Sequence, residues 1–226
     1  MLVALGAFLL ISAIYGPSLW VRYVLWRHSK PIAGMPGTGA ELAQHLVERF
    51  ELEDVTVVKG NSGEDFYHPG DRIVSLSPEH YDGKSLSAVA VAAHEVGHAI
   101  QFCRDEPVSH LRQRYLGKAA VIRNLGMGII VSIPVLTAVF RSPAAMIFLG
   151  LVGVVTMLAS VAMYVAILPE EYDASFGKAL PILEEGYLPE EQMPAVRSIL
   201  RACALTYVAG ALADVLGLWR WLRFLR

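Results

Sequence analysis

The sequence predicts a mostly α-helical integral membrane protein that carries a small α+β domain in a loop between apolar helices. Three observations predict it. Long blocks without charge alternate with a single sizeable polar stretch, residues 31–117. The chain is more apolar than a soluble domain of 226 residues, with 54% hydrophobic residues and a mean hydropathy of +0.45. Within the polar stretch, His94-Glu95-Val96-Gly97-His98 falls in a helical pattern.

Taken in chain order, Met1 to Leu25 has no charge before Arg22, so residues 1–28 read as a membrane anchor. A helix of about 20 residues crosses a ~30 Å hydrocarbon core. The block lacks the basic start and small-residue cleavage site of a signal peptide, which favours an uncleaved anchor. Leu125 to Phe140, extending back to Ala119 through Arg123, and the uncharged Pro143 to Leu168 form a transmembrane hairpin over 119–168. Gly150, Gly153 and Ala159 suit close helix approach in lipid, as they suit any membrane helix. Residues 169–201 read as a helical segment outside the membrane. Residues 202–226 read as a fourth helix, either spanning or interfacial, because Asp214 precedes the aromatic and basic cluster Trp219-Arg220-Trp221-Leu222-Arg223.

Positive charge near the spans sets orientation. Arg22, Arg27 and Lys30 follow the first block, Arg112, Arg114, Lys118 and Arg123 lead into the second, and Arg141 alone lies in the hairpin turn. The polar loop is therefore expected in the cytoplasm. A net charge of −2 leaves no nucleic-acid footprint. Cys103 and Cys203 are too few for a disulfide framework and read as buried small hydrophobes.

In the loop, Pro31 to Gly37 is a linker, and Thr38-Gly39-Ala40-Glu41 is a capping box opening a helix through Leu42, Leu46, Val47 and Phe50. Val55 to Val58 and Arg72 to Leu76 read as strands, with a turn at Asn61-Ser62-Gly63 and a short capped helix after Ser77-Pro78. Ser85 to Ser87 offer N-caps for the next helix, whose apolar stripe is Leu86, Val89, Ala90, Ala93, Gly97 and Ile100. A strand beside this helix would either pair with an extended peptide or simply buttress the helix.

The H-E-x-x-H pattern carries the chemistry. Side chains at i and i+4 share one helix face, so His94 and His98 can grip one metal ion with Glu95 beside it. Zinc held by two neutral imidazoles and a carboxylate lowers the pKa of water to roughly 7, and a neighbouring glutamate can relay its proton. Gln101 and Arg104 stand where the longer metzincin pattern has glycine and histidine, so the third ligand must come from a later segment. Leu168-Pro169-Glu170-Glu171-Tyr172-Asp173-Ala174-Ser175 supplies three acids, although Glu170, Glu171 and Asp173 are equally what any first helical turn favours. A hairpin over 119–168 returns this segment to the membrane side that carries the helix of His94 and His98. Tyr67 or His68 could donate a hydrogen bond to an oxyanion. His28, His45, His80 and His110 read as surface or interface residues.

The run Ser87 to Gln101 around His94-Glu95-Val96-Gly97-His98 resembles the YugP-like neutral zinc metallopeptidases, a bacterial membrane family. So do Pro17-Ser18-Leu19-Trp20-Val21-Arg22-Tyr23, the Thr38 helix start, the Leu168 to Ser175 segment, and Ala204 to Ala209. The resemblance covers nearly the whole chain in order. It implies a zincin-like domain at the cytoplasmic face of the inner membrane, a zinc cofactor, and polypeptide or membrane-protein substrates. His94, His98 and Glu171 would hold zinc, with Glu95 as general base. In the wider group of membrane gluzincins, an E-x-x-A-D segment ends in aspartate, where this chain has Ser175. A carboxylate that orients a histidine is then missing or comes from elsewhere, with Asp173 a candidate. The rival reading is a catalytically inactive membrane scaffold that keeps a structural zinc site, which would need a fourth protein ligand.

Overall fold

Helices dominate, and one small sheet accompanies them. The structure, a computed structural model, describes the backbone of residues 2–222 and the side chains of residues 12, 13, 15–139 and 141–212. In chain order the elements are α1 (Leu2–Arg27), α2 (Gly39–Arg49), β1 (Thr56–Lys59), β2 (Phe66–His68), β3 (Ile73–Leu76), α3 (Pro78–Tyr81), α4 (Leu86–Cys103), α5 (Leu111–Phe140), α6 (Pro143–Val165), α7 (Leu168–Tyr172), a π-helix (Asp173–Ala179), α8 (Leu180–Glu184) and α9 (Met193–Leu222). Two compact units result. One contains Met1–Ser18, Leu111–Ile167 and Tyr207–Arg226, and the other Leu19–His110 and Leu168–Thr206.

The first unit centres on the α5–α6 hairpin. Ser142 caps α6 by accepting from the Ala145 amide, and Pro143 begins the helix where its missing N–H costs nothing. The helices meet closely at Gly126 and Gly153. A Cβ at Gly126 would lie 3.0 Å from the Gly153 carbonyl oxygen, and one at Gly153 would lie 2.4 Å from Ile130 Cγ1. Gly150 has no such contact, its nearest neighbour being Ile133 Cδ1 at 4.0 Å. Inside, Ala119, Tyr164, Ile167 and Ala211 form a cluster flanked by Tyr115, Leu116 and Tyr207. Outside, the hairpin turns Val121, Leu125, Ile147, Leu151 and Val155 to the surroundings, each more than half exposed. Water penalises such a surface, while lipid does not.

Three helical runs among the described residues are long and apolar enough to cross a membrane: Pro107–Val139, Pro143–Glu184 and Glu190–Leu212. The expected first anchor forms the helix α1, roughly 39 Å long at 1.5 Å per residue. The side chains of its residues 2–11 and 14, like those of Asp214 and the Trp219 to Arg223 cluster, lie outside the described residues.

The second unit is the α+β part. Thr38 forms the expected capping box, its Oγ1 accepting from the Glu41 amide (3.2 Å) while its own N–H donates to Glu41 Oε2 (2.7 Å). The sheet order is β1-β3-β2, with β1 parallel and β2 antiparallel to β3. The extended run read at Val55 to Val58 is shifted by one residue, and Phe66–His68 adds a strand that the pattern did not mark. Three residues are too short for an alternation signal, so only pairing with β3 defines β2.

Helix α4 is buried from Leu86 through Gln101, not along one stripe. Its alanines and Gly97 keep the helix thin, so α2, α3, β2, β3 and the π-helix all pack on it. Ser85 caps it by accepting from the Ala88 amide. Cys203 is buried as expected, but Cys103 is exposed, because α4 ends there and leaves the core.

Candidate metal centre

His94 and His98 lie one turn apart on α4, with ring centroids 4.7 Å apart and planes nearly perpendicular at 79°. Glu171 reaches them from α7 at the start of the segment that packs across α4. Its Oε2 is 3.4 Å from His94 Nε2 and 3.3 Å from His98 Nε2. The three residues are buried, and their ligand atoms lie within 4.8 Å of one another. Of the acids in the Leu168 to Ser175 segment, Glu171 is therefore the one that joins both imidazoles. Glu170 is also buried, but its Oε1 is 3.9 Å from the far nitrogen of His98, Nδ1. Burial opposes ionisation of Glu171. With no metal bound, positive charge and hydrogen bonds from protonated His98 and His94 outweigh it and hold the carboxyl well below the usual range.

The donor set fits zinc. Two imidazoles and one carboxylate are ligand types that zinc accepts at about 2.0–2.2 Å, leaving a fourth position. Two buried carboxylate oxygens, Glu171 Oε1 and Glu95 Oε2, have no hydrogen-bond partner among the described residues. Such atoms are costly in a protein interior unless a cation or solvent meets them. Glu95 follows His94 on α4 and is 6% exposed.

Each imidazole is also held from behind. His98 Nδ1 lies 3.1 Å from Gln101 Oε1, and His94 Nδ1 lies 3.0 Å from Ser175 Oγ. Gln101 in turn donates to the Glu170 carbonyl and to Asp173 Oδ2, both at 2.9 Å, and Ser175 donates to the Leu200 carbonyl at 3.0 Å. Lys178 pairs with Asp173 (3.2 Å) and Glu106 (2.9 Å). Ser175 thus touches a histidine directly despite lacking a carboxylate, and Asp173 reaches the other one through Gln101. Gln101 was the residue the sequence reading missed. Its i+3 spacing from His98 was the signal available, but only the tertiary fold reveals the acceptors beyond it.

The π-helix Asp173–Ala179 explains how these groups share one face. An extra residue in the turn offsets the positions after Glu171, a feature often found at functional sites. Other expected residues lie elsewhere in the unit. Tyr67 is buried on β2 against Phe102, with ring centroids 6.0 Å apart. His68 is exposed, and its Nδ1 accepts from the Asp71 amide at 3.2 Å. His80 is not a free surface residue: its Nδ1 meets Asp65 Oδ2 at 2.8 Å and Ser77 Oγ at 3.1 Å.

The family model described as "Putative neutral zinc metallopeptidase" matches residues 1–226, the full chain. The chain belongs to this family. A curated relative, the "Putative membrane protease YugP" of Bacillus subtilis (strain 168), is 35% identical over 219 residues, covering 94% of this chain and 93% of the relative. No solved structure matches the chain.

Proposed function

We propose that this protein is a membrane-embedded zinc endopeptidase. His94, His98 and Glu171 hold the metal, and Glu95 moves the proton. One observation carries the reading: two imidazole Nε2 atoms and a carboxylate oxygen from a distant segment converge in one buried site, and Glu95, next to His94 on α4, has a buried oxygen with no hydrogen-bond partner among the described residues. Zinc, when bound, polarises the scissile carbonyl and acidifies water. Glu95 accepts the proton of the attacking water as its oxygen bonds to the carbonyl carbon. As the C–N bond breaks, Glu95 delivers that proton to the leaving amine. Burial of α4 keeps bulk water from competing for these groups.

Substrates on this reading are polypeptides or membrane proteins near the cytoplasmic face of a bacterial inner membrane. Residues 1–28 anchor the chain, 119–168 form the spanning hairpin, and 31–117 with 169–201 make the zincin-like catalytic part. The final segment, 202–226, spans or lies in the interface. Strand β2, an edge of the sheet that packs on α4, offers backbone pairing to an extended peptide. The inactive-scaffold reading needs a closed, four-ligand site, and the group among the described residues numbers three.

The test is cleavage of an unfolded polypeptide by purified protein, with and without chelator, beside Glu95→Gln. Chelator should abolish cleavage and zinc should restore it, while the variant should keep its zinc and lose activity. Cleavage that survives in Glu95→Gln contradicts the assignment of the base.

A further inference from the structure

Whether a histidine can bind metal through Nε2 depends on where its ring proton resides, and here the surrounding bonds decide it. Gln101 Nε2 faces the Glu170 carbonyl and Asp173 Oδ2, at 2.9 Å each. A carbonyl and a carboxylate only accept, so the amide nitrogen must be the end that points at them. Oε1 is then the end that meets His98 Nδ1, and it too only accepts. The proton at that contact therefore belongs to Nδ1. Ser175 follows the same logic with one hydroxyl proton. That proton goes to the Leu200 carbonyl, so Oγ accepts from His94 Nδ1. Gln101 and Ser175 are both fully buried, which leaves no bulk water to exchange for these partners.

We propose that Gln101 and Ser175 are positioning residues, which hold His98 and His94 as Nδ1–H rings and aim both Nε2 lone pairs at one metal ion. The proposal rests on the zinc reading above and deepens it. With the ring protons at Nδ1, the two Nε2 atoms and Glu171 Oε2 are three lone-pair acceptors 3.3–3.4 Å apart across each contact. Such a trio is stable only around a positive charge. The direct hydrogen-bond partner of each ring is neutral, Gln101 Oε1 for His98 and Ser175 Oγ for His94, and Glu170 Oε1 lies farther off, 3.9 Å from His98 Nδ1. Asp173 acts on His98 through the Gln101 amide and is itself paired with Lys178, which Glu106 also holds.

The experiment measures zinc affinity by chelator competition for the full-length protein, Ser175→Ala and Gln101→Met, together with melting of the zinc-free forms. Imidazole ¹⁵N resonances of the zinc-loaded parent are recorded in parallel. Each variant should bind zinc roughly 10–100-fold more weakly, the usual cost of losing such a partner. The parent should show both rings protonated at Nδ1 and metal-bound at Nε2. Folded variants with the parent's affinity overturn the proposal and leave the zinc site standing. A parent ring protonated at Nε2 overturns it as well, even if neither variant folds. A parent that binds no zinc removes the zinc reading itself, and this proposal with it.

Discussion

Gly97 and Ala174 touch backbone to backbone: a side-chain carbon at 97 would sit 2.7 Å from the Ala174 carbonyl oxygen. Gly97 lies between the two histidines, and Ala174 lies three residues after Glu171. The contact therefore sets how closely the acidic segment approaches the imidazoles. Glycine weakens a helix by about 1 kcal/mol relative to alanine, and here the return is the approach of a second backbone.

Gly97→Val should therefore push the π-helix away from α4. The overlap costs roughly 1–3 kcal/mol of stability, and zinc affinity should fall with it. Thermal unfolding and chelator competition on the same preparations check both effects. Retention of the parent's zinc affinity would show that this contact does not position Glu171.

The Asp65–His80 pair makes a pH prediction. Burial opposes ionisation of Asp65, but hydrogen bonds and charge from His80, and hydrogen bonds from Ser77, outweigh it and lower its pKa. The Ser77 amide donates to Asp65 Oδ1 at 2.7 Å. Because the folded-state pKa is depressed, the stabilisation is complete above the unfolded value, about 3.9, and disappears as pH falls through the folded value. The stability difference between parent and Asp65→Asn should shrink as pH falls below about pH 4. Denaturant midpoints across that range, on zinc-free protein, test it. A gap unchanged down to the lowest pH would mean the carboxylate is not stabilised in the fold.

Val155 is 63% exposed on α6 within an uncharged run. If lipid covers this face, Val155→Arg should cost about 2.5–3.5 kcal/mol of insertion near the helix centre. The yield of membrane-integrated protein should drop, whereas Glu48→Arg, at an exposed position of α2, should leave it unchanged. Equal yields from the two variants would argue against a lipid-facing α6.

Much of this molecule is legible in its residues because the signals are local. The Thr38–Glu41 box, the Ser85 cap, the apolar blocks and the i, i+4 histidines each depend on neighbours within a few positions. Glu171 was harder, since Glu170 and Asp173 satisfy the same first-turn preference. Only the fold separates the residue that meets both imidazoles from the one that meets a relay. Strand β2 is defined by its partner, and the π-helix by a hydrogen-bond shift that composition does not encode. The enclosure of α4 was hidden for a related reason. Alanine suits a half-exposed face as well as a buried one, so periodicity could not tell a stripe from a fully packed helix.

The central claim is that three side chains from two segments hold one zinc ion and leave a position open. Zinc K-edge X-ray absorption on the purified chain, beside Glu171→Gln, tests it most directly. The account predicts one zinc per chain with two imidazole nitrogens, oxygen in the remaining shell and no sulfur, and weakened binding in the variant. Sulfur in the shell, four protein ligands, or a Glu171→Gln protein that binds zinc like the parent would contradict it.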